Sequence, residues 1–290
     1  GRKEMVALLI QHGANLEKVN GHGETPLGLA LHADKNSNGE IAKMLLRAGC
    51  SQVRESKIKL FQKSYPPLHI SAFLGFDYHK EIIEWIFGQE LDQGNGVTLN
   101  ITEKNVPKLS ECKEFSNNSN VYENRSNGQK KTAFVNLKAT DSSTPLFMAV
   151  MRGRMDIIKY IYEKGGDPYV ECSQGNLIHA AVMTVRSEEV LDFVLSFDLN
   201  IDHINDDGNT PLILAATYDN SSACQKLASH GAYLNLQDKR YGATALLNSV
   251  YFGCENNAQF LLSHGADPDI PDFRYLCLQK FVNGIFLIIR

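Results

Sequence analysis

The sequence predicts an all-α solenoid of repeated helix pairs, and three observations carry that expectation. Thr210-Pro211-Leu212 followed by Gly231-Ala232 returns as Thr244-Ala245-Leu246 followed by Gly265-Ala266, 34 residues later in both cases. Upstream, Thr144-Pro145-Leu146 pairs with Gly165-Gly166, and the register then steps from Gly165 to Asp198 to Gly231 at intervals of 33. Each unit also carries helix start and stop signals. A Thr hydroxyl can accept an orphan backbone N–H, Pro presets φ at the first helical position, and Gly takes the left-handed conformation at the end. Self-similarity at this period marks helix pairs that cannot bury a core singly but bury one when stacked.

In chain order, the first unit is partial: Glu4 to Ile10 reads as a second helix, ending Gln11-His12-Gly13-Ala14. A chain opening on Gly1 in the middle of a repeat is expected to be a fragment of a longer one, so the lack of a leader has no meaning. Next comes Gly23-Glu24-Thr25-Pro26-Leu27, leading to Leu45-Leu46-Arg47-Ala48-Gly49, then Tyr65-Pro66-Pro67-Leu68-His69 with Ile82 to Phe87. Thr144-Pro145-Leu146-Phe147 leads to Ile157 through Gly165, and a degenerate copy follows at Asn176-Leu177-Ile178-His179-Ala180-Ala181. The clear 34-residue copies complete six or seven units, counting partial ones.

Two departures from the period are informative. From Thr25 to Pro66 the step is about seven residues too long, and Asp34-Lys35-Asn36-Ser37-Asn38-Gly39 is expected to supply the surplus as a polar loop between helices. Residues 88–138, rich in Asn, Ser, Lys and Glu with little apolar periodicity, read as a long insert without a core of its own. The insert is expected to bulge from a continuous stack rather than divide it, since an apolar end exposed mid-chain needs capping on both sides. The expected organisation is residues 1–87 as N-terminal repeats, 88–138 as a flexible insert, 139–272 as C-terminal repeats and 273–290 as a terminal cap or truncated repeat.

Composition narrows the function classes. With 43% hydrophobic residues there is ample material for a continuous core, and a net charge of −4 supplies no basic field to attract nucleic acid. The six cysteines show no C-x-x-C spacing, which argues against a disulfide framework or a zinc site and favours reduced thiols in the cytoplasm or nucleus. Four glycosylation-type matches begin at Asn100, Asn117, Asn124 and Asn220, three of them in one Asn-rich segment where chance matches are expected. Phe281 to Ile289 is apolar but well short of the ~20 residues a membrane-spanning helix needs.

The T-P-L-H, A-A, L-L and G-A elements quoted above resemble the ankyrin repeat family, and the resemblance covers most of the chain outside residues 88–138 and the tail. It implies a helix-turn-helix solenoid with hairpin loops that acts as a protein-interaction scaffold or adaptor. It also implies that His69 and His179, at the H of the motif, hydrogen-bond within the turn. His12, His230 and His264 recur before each Gly-Ala. Stacked helices lie ~8–10 Å apart whereas zinc ligands converge within ~2.1 Å of one ion, so these histidines are expected to meet backbone carbonyls at helix ends. No nucleophile elbow, phosphate-cradling loop or H-E-x-x-H occurs, and neither catalytic residues, cofactors nor metals are expected.

By the same resemblance, the residues after each A-A pair and the hairpin tips form the binding surface. Here those pairs are His32-Ala33, Phe73-Leu74, Met151-Arg152, Met183-Thr184, Thr217-Tyr218 and Tyr251-Phe252, with Asp206-Asp207 and Lys239-Arg240-Tyr241 at the tips. The candidate partner-binding residues are therefore Phe73, Leu74, Met151, Arg152, Met183, Tyr218, Arg240, Tyr241, Tyr251 and Phe252, because aromatic residues, Met and Arg carry interface energy. For Phe73, Leu74 and Phe252 the opposing reading is that they tuck under the hairpins and extend the core. The partner is expected to be a protein, with neither nucleic acid nor a membrane engaged by these residues. Two alternatives stay open: a regulatory region of a larger enzyme, ubiquitin ligase receptor or ion channel, and an insert that itself docks or is phosphorylated at Ser110, Ser116, Ser119 or Ser126.

Overall fold

The structure, a computed structural model, describes residues 3–33, 39–52, 54–58, 63–92, 135–184 and 188–273. The Asn-rich insert from residue 93 to 134, its serines, and the tail from residue 274 lie outside the described residues. The helices are α1 (Lys3–Gln11), α2 (Pro26–Ala33), α3 (Glu40–Arg47), α4 (Pro67–Leu74), α5 (Asp77–Asp92), α6 (Pro145–Arg152) and α7 (Met155–Glu163). They continue as α8 (Leu177–Met183), α9 (Glu188–Leu195), α10 (Pro211–Thr217), α11 (Ser221–Ser229), α12 (Ala245–Tyr251) and α13 (Glu255–Ser263). A two-stranded antiparallel hairpin, β1 (Ser56–Ile58) and β2 (Lys63–Tyr65), lies between α3 and α4.

The start signals act as the sequence implies. Oγ1 of Thr25, Thr144, Thr210 and Thr244 accepts from the backbone N–H three residues on, at 3.0 to 3.3 Å. In the degenerate copy Asn176 replaces Thr, and its Oδ1 accepts from the N–H groups of Ile178 and His179. Each such cap is worth about 1 kcal/mol. The stop signal is also physical: Gly165, Gly231 and Gly265 have φ of 96°, 88° and 92°. Asp198 holds the glycine place in the register, yet no left-handed residue occurs there. The turn closes instead through Phe197 N–H to Val194 O at 3.2 Å and Leu199 N–H to Phe197 O at 2.9 Å.

The described helices form two compact units, the first holding α1 to α7 and the second α8 to α13. The turn residues Asp141–Ser143 and Gly153–Met155 group with the second. Within the first, α2 packs on α4 and α4 on α6; within the second, α8 packs on α10 and α10 on α12. The apolar residues between them are fully enclosed, among them Leu68, Leu146 and Phe147 in the first unit, and Ile178, Leu212 and Leu246 in the second. At roughly 1.5–3 kcal/mol for each large side chain, this shared burial holds the stack together. α4 packs directly on α6 although residues 93–134 separate α5 from α6 in the sequence. Phe87 of α5 likewise meets Tyr160 of α7, ring centroids 6.0 Å apart.

One expectation is corrected. The seven surplus residues before Pro66 do not all lie between helices. Six residues, 34–39, join α2 to α3 where three, 218–220, join α10 to α11; the other four extend the connection 48–66 relative to 230–244. That second excess sits in the β1–β2 hairpin. Splitting the surplus between the two ends of the helix pair leaves the helices themselves in register. The hairpin is also sealed to α2: Ser56 is buried, its Oγ accepts from Thr25 N–H at 3.0 Å, and a Cβ on Gly28 would collide with the Ser56 side chain. Gly28 stands where the motif has His, and Ser56 fills the space.

Two buried imidazoles tie successive repeats together, each within one compact unit. His79 accepts from Phe76 N–H through Nδ1 at 3.1 Å and donates from Nε2 to Leu31 O at 3.0 Å. His179 is buried as well, with Nε2 donating to Asn209 O at 3.1 Å. Burial pulls the pKa of each from 6.5 down to about 4. The unfolded imidazole therefore takes a proton that the folded one refuses between those values, and stability falls as pH drops through that window. Each histidine contributes a slope of about 1.4 kcal/mol per pH unit there. The urea midpoint is expected to fall between about pH 6.5 and pH 5, with a shallower fall in the His79→Gln/His179→Gln variant; equal slopes would refute this account.

Gly231 offers a second test. Its φ is 88° and a Cβ there would meet nothing within 4 Å, so any cost of a side chain is backbone strain alone. Gly231→Val is expected to destabilise by about 1 kcal/mol or more, read as a lowered thermal midpoint.

Candidate functional site

Eight of the ten candidate residues, all but Arg240 and Tyr241, fall at one recurring structural position, the C-terminal end of a first helix. There the chain turns back sharply, and the turn residue is left-handed: Gly75 (φ 60°), Gly153 (82°), Asp219 (54°) and Gly253 (75°). The residue just before each is the one the motif spacing singles out: Leu74, Arg152, Tyr218 and Phe252. Asp219 occupies this region without being glycine, which a short polar side chain tolerates.

Burial separates the candidates. In the second unit, Tyr218 is 58% exposed, Tyr251 70% and Phe252 54%, on first helices α10 and α12 that pack directly together. Tyr251 and Phe252 meet edge to face, centroids 5.1 Å apart, so Phe252 is not tucked beneath a hairpin. Met183, at the end of α8, is half-buried. In the first unit, Arg152 is exposed and Met151 half-buried at the end of α6, while Phe73 and Leu74 at the end of α4 are both half-buried. Those two lend part of their surface to the core.

The hairpin tips carry the polar candidates. Asp238 is buried, and its carboxylate accepts the backbone N–H groups of Arg240 (2.9 Å), Tyr241 (2.5 Å) and Ala243 (3.2 Å). This fixes the tip, and the exposed Arg240 guanidinium lies over the Tyr241 ring at 5.2 Å. One repeat earlier, Asn205 does the equivalent work, accepting from Asn209 N–H at 2.9 Å and donating to Gln174 O at 3.3 Å. Successive tips of the second unit are joined by single main-chain bonds: Ser173 N–H to Asp141 O, Asp206 to Ser173, Lys239 to Gly208, and Phe273 to Tyr241, at 2.8 to 3.2 Å.

Sequence reading missed four exposed aromatics among the described residues, Tyr162, Tyr169, Tyr233 and Phe273. Tyr233 follows Gly231-Ala232, and Phe273 stands one repeat after Lys239 at the same tip position. The period itself could have found Phe273. Two of the recurring histidines behave as expected: Nδ1 of His230 and of His264 meets the carbonyl four residues back at 2.8 Å. Asn220, a glycosylation-type match, is committed internally, its Oδ1 accepting from Ala223 N–H and its amide donating to Val182 O, both at 3.1 Å. Among the described residues no cluster of His, Cys, Asp or Glu could hold a metal ion, and no helix is long and apolar enough to cross a membrane.

Comparison with known proteins fits this geometry. Residues 178–272 match the family model for ankyrin repeats in three copies, residues 1–46 that for ankyrin repeats in many copies, and residues 141–170 that for a single ankyrin repeat. The chain belongs to the ankyrin repeat family. Such repeats are in general protein-interaction modules rather than enzymes. The chain is similar to the palmitoyltransferase AKR1 of Lachancea kluyveri, 32% identical over 43% of this chain and 18% of that protein. It is also similar to the ankyrin repeat and KH domain-containing protein mask-1 of Caenorhabditis elegans, 29% identical over 48% of this chain and 6% of that one. Against the human transient receptor potential cation channel subfamily A member 1 the identity is 26% over 96% of this chain and 22% of the channel. The chain thus spans less than a quarter of the length of each of these relatives.

The described thiols differ in their burial. Cys224 is fully buried and Cys50 nearly so, and burial pushes both thiols up to about 12. Because the thiolate is the nucleophile, both should resist alkylation at neutral pH until the chain unfolds, whereas half-buried Cys172 should react before either of them. Mass mapping after brief iodoacetamide exposure measures the order, and early labelling of Cys224 would show the second-helix core to be wrongly placed.

Proposed function

We propose that this ankyrin array is a protein-binding module whose second unit presents a preformed recognition face. Tyr218, Tyr251 and Phe252 are its apolar anchors and Arg240 its polar clamp. The observation that carries the reading is that three large aromatic side chains stand more than half exposed on adjacent helices whose ends are fixed by caps and left-handed turns. Rigid support matters energetically, since ordering a loop or side chain on binding costs about 0.5–1.5 kcal/mol for each mobile group. Met183 and Tyr241 extend the face in the second unit. Met151 and Arg152 offer the equivalent position in the first, with Phe73 and Leu74 as its half-buried floor. The role is that of a scaffold or adaptor in the cytoplasm or nucleus, without catalysis.

A second reading has its own support. The likeness to the human channel runs through 96% of this chain, which favours an array that regulates a larger channel or enzyme. In that case the same face receives another part of the assembly.

The test is the Tyr218→Ala/Tyr251→Ala variant. Both side chains are exposed, so circular dichroism and thermal midpoint should barely move, while partners recovered from cell extract by the native protein should be lost at least tenfold. Undiminished recovery would remove the second unit's face from the mechanism.

A further inference from the structure

We infer that the second unit reads charge order as well as apolar bulk: it takes an extended segment bearing one basic and one acidic residue on either side of an apolar anchor. The inference rests on the recognition face proposed above and adds the chemistry of its occupant. Its basis is an inversion at equivalent positions. Asn205 and Asp238 are buried one repeat apart, and the two residues after each form the exposed tip: Asp206-Asp207 in one unit, Lys239-Arg240 in the next. The same two sites thus carry two negative charges and then two positive ones.

Three features separate these doublets from ordinary solvated loops. Neither carboxylate of Asp206-Asp207 forms an ion pair with Lys239 or Arg240 among the described residues, although the tips are joined by the Lys239 N–H to Gly208 O bond at 3.1 Å. Both tips are held by their buried Asn or Asp, so the charges are prepositioned. The aromatic anchors belong to the same two repeats, Tyr218 with the acidic tip and Tyr251-Phe252 with the basic one.

Neighbouring units stand ~10 Å apart, and an extended chain advances ~3.3 Å per residue. The occupant therefore places its basic residue about three positions from its acidic one, with a bulky apolar residue between. The basic side chain faces Asp206-Asp207, the acidic one faces Lys239-Arg240, and the order fixes the direction in which the segment lies.

The test uses a displayed library of random short peptides selected on the native protein. Peptides whose binding is lost in Tyr218→Ala/Tyr251→Ala are expected to carry a basic and an acidic residue at this separation. Each should weaken about tenfold on the Asp206→Lys/Asp207→Lys variant and on the Lys239→Glu/Arg240→Glu variant. Exchanging the acid and the base within a selected peptide should weaken it on the native protein and restore it on the variant carrying all four substitutions. Tyrosine-dependent peptides without that charge pattern, or without restoration, would overturn this inference alone. Failure to recover any tyrosine-dependent peptide would overturn the recognition face as well.

Discussion

No unit of this chain could bury its own apolar residues. A helix pair of the length of α10 and α11 has two broad faces, and Ile213, Leu214 and Cys224 are enclosed only because α8 and α12 lie on either side of α10, and α13 lies beside α11. Every other feature follows from that need for neighbours. The helices must begin and end at the same level in each repeat, so Thr caps and left-handed turns recur at fixed intervals. Met5 and Leu9 of α1 are exposed, whereas their counterparts in α3, Ile41 and Leu45, are buried.

The fold was legible in the sequence because its signals are local and periodic. Thr, Pro and Gly act through their own backbone geometry, and repetition multiplied a weak signal into a specific one. What escaped was decided by partners distant in sequence. The split of the seven surplus residues depends on Ser56 reaching back to Thr25 and Gly28, an exchange between His and Ser that no single repeat reveals. Asp198 shares the spacing of a glycine without its conformation, since spacing reports register and not φ.

The candidate face was legible in position and less so in exposure. Phe73-Leu74 and Tyr251-Phe252 look alike as sequence, yet the first pair is half-buried and the second stands clear. The difference lies in what surrounds each helix end, and α4 is hemmed in by α2, α5 and α6. Phe273 shows the converse: its place in the period was readable, but its weight came only with its main-chain bond to Tyr241 and its ring against Gly242.

The bonds between successive tips run from main chain to main chain, from Ser173 through Asp206 and Lys239 to Phe273. Alignment of the loops therefore asks nothing of the side chains mounted on them. A neutral, an acidic, a basic and an aromatic residue occupy one site in four successive repeats, on the same backbone frame throughout. Mutation can rewrite that row letter by letter while the scaffold that displays it stays as it is, and an old array can acquire a new correspondent without refolding.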